Sequence, residues 1–304
     1  MTLQELAQQW PAQVVPTAGG DIAYRRAGQG PLLVLLHGIG SASGSWLRQL
    51  QSLQSHFTVL AWDAPGYGQS TPVEADWPTA ADYGTRVWQW LQALGLAQQP
   101  IRLAGHSLGC LMAAAAVAQR PQAVERLTLL SPALGYGLAD PAVRDSKLRD
   151  RLANLERLGP AGMAEHRGAA MLSAQADASL VVYVKSIMAA INPAGYTQAA
   201  RLLAQADLDT LLAAVTCPVT VASGSADTIT PAAACEGLAD RVGAPYLSLG
   251  PVGHACACTD PVCHQLHTSS VTNGRNGASA RCSADSARRK ATMADCAPSG
   301  VCMA

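Results

Sequence analysis

The chain has 304 residues, enough for one large α/β domain or two small ones with a sizeable core. Lysine plus arginine equals aspartate plus glutamate at 21 each, so no net field recruits a nucleic acid or an anionic membrane. No apolar run approaches the roughly 18 to 20 residues that span a bilayer, and Met1-Thr2-Leu3-Gln4-Glu5-Leu6 lacks the basic and apolar regions of a signal peptide. The expected compartment is the cytoplasm and the expected partner a small-molecule substrate.

Taken in order, a short amphipathic lead (Leu3, Leu6, Ala7, Trp10) precedes two short strands, 13–15 and 21–25, joined through Ala18-Gly19-Gly20 as a hairpin. Residues 31–36 show no alternation, as expected of a strand covered on both faces of a parallel sheet. Trp46, Leu47, Leu50 and Leu53 follow at helical spacing, then a second buried strand over 57–62 and a helix over 79–94. Residues 101–104 form a strand that ends at Gly105, and from Leu108 the run is strongly helix-forming. The next strand covers 124–130. Strand and helix alternate throughout, which predicts a doubly wound, mostly parallel α/β sheet.

From residue 133 to 214 the strands stop, and four Ala-, Met- and Leu-rich helical stretches predict a separate helical lid. Within it Met163, Met171, Tyr183, Met188 and Tyr196 are candidates to line an apolar pocket, although each could equally pack lid helices on one another. The sheet resumes at 218–222, continues through a helix over 231–242, and returns at 246–249. The expected domains are therefore 1–132 and 215–254 as one core in two parts, 133–214 as the lid, and 255–304 as an atypical tail.

The handover from strand to helix falls at Gly105-His106-Ser107-Leu108-Gly109. A serine hydroxyl is a poor nucleophile unless it is lifted clear of the sheet, given a base and faced with oxyanion donors. G-x-S-x-G meets the first need, and the Leu108 N–H at the helix N-terminus is one candidate donor. No H-E-x-x-H and no dense carboxylate cluster occurs before residue 255, so neither metal nor cofactor is expected.

Over about residues 12–254 the chain resembles the α/β-hydrolase fold superfamily. His37-Gly38-Ile39-Gly40 is similar to that family's oxyanion loop, which implies the Ile39 N–H as second donor. Asp63-Ala64-Pro65-Gly66-Tyr67-Gly68-Gln69-Ser70 resembles its D-x-x-G-x-G-x-S turn, Ser107 its nucleophile, the Gly224–Pro231 stretch its acid loop with Asp227, and Gly253-His254 the loop of its general base. Asp227, standing before a Thr-Pro pair, also fits a plain capping role, and Asp63 reads as structural. The resemblance implies a cofactor-free serine hydrolase acting on an ester, lactone or similar acyl bond of a small apolar molecule. A carbon–carbon bond hydrolase of aromatic ring-cleavage products shares the triad and lid, and an inactive or damaged hydrolase-fold protein is the reading from another class. Dehalogenases and epoxide hydrolases of this fold generally carry an aspartate at the place of Ser107.

The family's closing helix has no obvious counterpart after His254. Six of the nine cysteines crowd the end at 256, 258, 263, 282, 296 and 302, and apolar side chains thin out from Val271. Three readings of residues 255–304 stay open: an out-of-frame product of GC-rich coding, a disordered tail, or a metal or disulfide site using Cys256, Cys258, Cys263, His264 and His267.

Overall fold

The computed structural model describes residues 1–259 together with Val262 and Leu266. Eight strands form one sheet: β1 (Gln13–Val15), β2 (Ile22–Ala27), β3 (Leu32–Leu36), β4 (Thr58–Trp62), β5 (Ile101–His106), β6 (Val124–Leu130), β7 (Val219–Ser223) and β8 (Tyr246–Ser248). Their spatial order is β1-β2-β4-β3-β5-β6-β7-β8. β1 and β2 form the expected antiparallel hairpin, and β2 also runs antiparallel to β4. From β4 to β8 every pairing is parallel. Backbone pairing in one direction with helices as crossovers leaves both faces of the central strands covered.

The side-chain alternation makes this explicit. Leu32, Val34 and Leu36 of β3 pack on one face, with α3 (Ala80–Ala93) and α4 (Gly109–Gln119), while Leu33 and Leu35 pack on the other, with Trp46 and the helix α2 (Leu47–Leu53). β4 divides the same way, Leu60 and Trp62 against Val59 and Ala61. An unpatterned apolar run is therefore two half-patterns superposed. The short α1 (Leu3–Gln9) is closed by a capping box between Thr2 and Glu5 and buries Leu6 on the α2 side.

Between β6 and β7 lie four helices: α5 (Pro141–Arg167), α6 (Ala178–Ala189), α7 (Pro193–Gln205) and α8 (Leu208–Leu212). α5 is two segments rather than one rod, because Gly159 adopts φ 61° and ψ 174° immediately before Pro160. Only glycine takes that backbone conformation without strain, and the proline that follows cannot donate the missing helical bond. α9 (Ala232–Val242) then packs beside β7 and β8. No single helix among the described residues is long and apolar enough to cross a membrane.

One boundary is corrected. The sequence reading ends the core at His254, yet Cys256, Ala257, Val262 and Leu266 are buried among Leu33, Leu35, Trp46, Leu47 and Leu50. Val262 and Leu266 are both helical and four positions apart, a spacing that lets two side chains share one face, and both are buried in the same cluster. Cysteine behaves here as a small hydrophobe, which is why a polar-looking stretch buries apolar surface. Cys256 and Cys258 are free thiols, and among the described residues no three His, Cys, Asp or Glu side chains gather as a cation site. The remaining positions on which the three readings of the tail turn, Cys263, His264 and His267 included, lie outside the described residues.

Candidate active site

Ser107, the oxyanion-loop residues, Asp227 and His254 all follow the carboxyl ends of parallel strands, β5, β3, β7 and β8 respectively. That edge is where open α/β sheets bind ligands. Ser107 sits between β5 and α4 with φ 53°, a left-handed conformation that a non-glycine residue adopts at a cost of about 1–3 kcal/mol. The neighbouring glycines make this turn possible. A Cβ on Gly105 would lie 2.4 Å from the Gly109 carbonyl oxygen, and one on Gly109 would lie 2.3 Å from that of Leu36. Strand and helix approach so closely that no side chain fits between them.

The three residues singled out as nucleophile, base and acid meet. The Ser107 hydroxyl donates to His254 Nε2 at 3.1 Å, and His254 Nδ1–H donates to Asp227 Oδ2 at 3.0 Å. They are 7%, 6% and 4% exposed, in the same order. Asp227 does not cap α9, whose N-cap position is Pro231 with no side-chain bond; its Oδ1 accepts the N–H groups of Ile229 and Thr230 at 2.8 and 2.9 Å in the turn before that helix, while Oδ2 turns to the imidazole. The Thr230 hydroxyl also donates to Oδ2 at 2.9 Å. Burial resists ionisation of Asp227, but the hydrogen bond and charge of His254, the Thr230 N–H and Ser131 together hold its carboxyl well below the usual range.

Two further histidines brace the site. His37 Nδ1–H donates to the Gly38 carbonyl at 2.8 Å while its Nε2 accepts the Ala64 N–H at 2.9 Å, tying the loop after β3 to the turn after β4. Burial pulls its pKa down and keeps it neutral, the form this pattern needs. His106 Nε2–H donates to the His254 carbonyl at 2.7 Å, and burial together with nearby His254 pushes the His106 pKa down to about 3. The next residue is held as well, since the Ala255 N–H donates to the Met171 carbonyl at 2.7 Å.

Ile39 and Leu108 both line the cavity above Ser107. Among the described residues neither of their N–H groups has a hydrogen-bond acceptor. Gly38 brings the loop there: a Cβ on it would meet Ser107 Cβ at 2.9 Å and His106 Nδ1 at 3.2 Å. Free donors beside a serine hydroxyl can take up an oxyanion as it develops.

The cavity holds about 340 Å³ and is walled largely by apolar side chains, including Met163, Met171, Met188 and Tyr196. Tyr183, the fifth residue nominated from the sequence, does not line it. Its hydroxyl donates instead to the Gly44 carbonyl at 2.9 Å, pinning α6 to the short helical turn Ser43–Trp46. Sequence reasoning missed Arg151 and Arg167, both of which reach the cavity from α5.

A family model described as "alpha/beta hydrolase fold" matches residues 31–256. The (E)-2-((N-methylformamido)methylene)succinate hydrolase of Acinetobacter baylyi is 29% identical over 208 residues, 67% of this chain and 75% of that protein. The crystal structure of a hydrolase from Pseudomonas aeruginosa superposes with a TM-score of 0.73 at 27% identity, covering 86% of this chain and 97% of that one. A thermophilic esterase from Thermogutta terrifontis shares the fold at a TM-score of 0.75 and 22% identity, over 85% of this chain and 97% of its own.

Proposed function

Since the chain belongs to the α/β-hydrolase fold family and is a hydrolase, we propose that it cleaves an ester, lactone or similar acyl bond of a small molecule through a Ser107–His254–Asp227 triad. The observation that carries this reading is the continuous hydrogen-bond chain from the Ser107 hydroxyl through both ring nitrogens of His254 to Asp227. The Acinetobacter baylyi relative, named for hydrolysis of a substituted succinate, supports a small-molecule substrate.

The chemistry follows from the geometry. Ser107 Oγ bonds to the acyl carbon as its proton passes to His254 Nε2, and the carbonyl electrons move onto the oxygen, which takes the N–H groups of Ile39 and Leu108. Collapse of this tetrahedral species breaks the carbon–oxygen bond to the leaving group, which receives the proton from His254. Water repeats the sequence on the acyl-enzyme, releasing the acid and restoring Ser107. Asp227 fixes the tautomer with its proton on Nδ1 and stabilises the imidazolium formed in each half-reaction. The helices between β6 and β7 act as a lid that supplies the upper wall of the cavity.

The test is intact-mass analysis after exposure of the folded protein to a fluorophosphonate, with Ser107→Ala and His254→Ala alongside. A single adduct, absent from both variants, is expected. A folded wild-type protein that takes up no adduct overturns the assignment.

A further inference from the structure

The cavity lining contains two charged side chains, Arg151 and Arg167, and no carboxylate. In a chain whose charges balance overall, that is a local excess of positive charge in the space that faces Ser107. Among the described residues neither guanidinium has a hydrogen-bond or ion-pair partner. Some other charges on α5 are paired where they stand: Glu165, two positions before Arg167, takes Lys185 at 2.7 Å, and Arg144 takes Asp145 at 3.0 Å.

That both arginines line one cavity depends on the break in α5. In an unbroken helix, residues sixteen apart would be separated by about 24 Å along the axis. α5 is broken at Gly159-Pro160, and one residue before the break and one after it line the same cavity. Both are half-buried, the setting in which a guanidinium gains most from an anion without the full penalty of desolvation. Around them the wall is apolar, from Met163, Met171 and Met188.

We propose that Arg151 and Arg167 form an anion subsite, so that the substrate carries a free carboxylate at the end of its apolar body remote from the acyl bond that Ser107 attacks. The proposal rests on the hydrolase reading for the position of that bond, and on the cavity alone for the anion. The guanidinium fork matches the two oxygens of a carboxylate, and two such forks with no internal counter-ion leave the ligand to supply the negative charge.

Isothermal titration of adipate into the whole protein tests the subsite without turnover, with 1,6-hexanediol as the uncharged ligand of equal chain length and inorganic phosphate as the competing anion. Adipate should bind at least tenfold tighter than the diol and tighter than phosphate, and should slow fluorophosphonate labelling of Ser107. Arg151→Gln and Arg167→Gln should each weaken adipate at least tenfold, and the corresponding Arg→Lys variants should weaken it less, which covers the case in which a glutamine variant does not fold. Adipate binding no tighter than the diol, or unchanged in the variants, overturns the proposal, and preference for phosphate overturns the carboxylate assignment. Arginine-dependent adipate binding without a wild-type Ser107 adduct would leave the subsite standing and remove the hydrolase mechanism, so the two fail separately.

Discussion

His106 Nε2 lies 2.7 Å from the main-chain oxygen of His254, so the residue before the nucleophile holds the backbone of the residue that would deprotonate it. A carbonyl only accepts, which puts the proton on Nε2 and leaves Nδ1 bare, buried and without a partner among the described residues. His106→Phe keeps a ring of similar size and removes the donor. Misplacing a reacting group by about 1 Å can cost a hundredfold, so kcat/KM should fall roughly ten- to a hundredfold with the fluorophosphonate adduct slowed in parallel. An unchanged labelling rate would deny His106 any positioning role.

The same histidine makes stability depend on pH. Its folded pKa of about 3 lies below the unfolded value of about 6.5. Between those values the unfolded chain binds a proton that the folded one refuses, so this contribution is present above about pH 6.5 and is lost as the pH falls toward 3. A melting-temperature series from pH 7 to 4 should slope downward in the wild type and be flatter in His106→Phe. Equal slopes would mean that His106 does not stay neutral in the folded state.

Asp227 offers a way to separate turn-making from catalysis. Its Oδ1 holds the turn before α9 and its Oδ2 orients His254. Asp227→Asn can keep the first role with its amide oxygen, whereas Asp227→Ala loses both, at an added cost of about 1 kcal/mol for each unpaired buried N–H. Both variants should lose on the order of 10⁴ in kcat, with only Asp227→Ala markedly less stable to urea. The depressed carboxyl pKa of the wild type also contributes stability that is present above the unfolded value of about 4 and disappears as the pH falls below it. Asp227→Asn should lack that acid limb.

Glycines at the site divide by what a methyl group would strike. On Gly38 it would meet the Ser107 Cβ at 2.9 Å and the His106 ring at 3.2 Å, shallow overlaps that a shift of the loop relieves; on Gly109 it would meet two backbone carbonyls, one of them far closer, between a strand end and a helix that cannot separate. Gly38→Ala should therefore fold and lose activity, by displacing the loop that carries the Ile39 N–H. Gly109→Ala should lose stability by about 3 kcal/mol or fail to fold. Thermal melts beside labelling rates distinguish the two.

Much of this site was legible in the chain because its parts are backbone devices with compositional signatures. A turn that needs φ 53° between a strand and a closely packed helix demands glycine on either side, and Gly105 and Gly109 advertise it. Asp227 and His254 followed from the resemblance to the hydrolase family, whose chain order and strand-end loops they match. Arg151 and Arg167 carried no such mark: an arginine in a polar helical stretch reads as solvent-facing, and only the break at Gly159 brings both to the cavity. Tyr183 failed in the opposite direction, since an apolar ring on a helix does not reveal whether its hydroxyl finds a ligand or a neighbouring carbonyl.

The segment after His254 was the hardest to read, because Cys, His and Gln obscure a spacing that only two apolar residues carry. Val262 and Leu266 are 0% and 1% exposed, and they cover the face of the sheet formed by Leu33, Leu35 and Ala104. Truncating a buried leucine costs about 2–5 kcal/mol, and Leu266→Ala should fall in that range by urea denaturation. Val262→Asp would place an unpaired charge in the same apolar contact and should be more damaging. Cys256, buried in this cluster, lies only two residues beyond His254, so loss of the contact should also loosen the base and slow fluorophosphonate labelling before global unfolding. A Leu266→Ala protein as stable as the wild type would mean that the sheet face is closed by something other than this side chain.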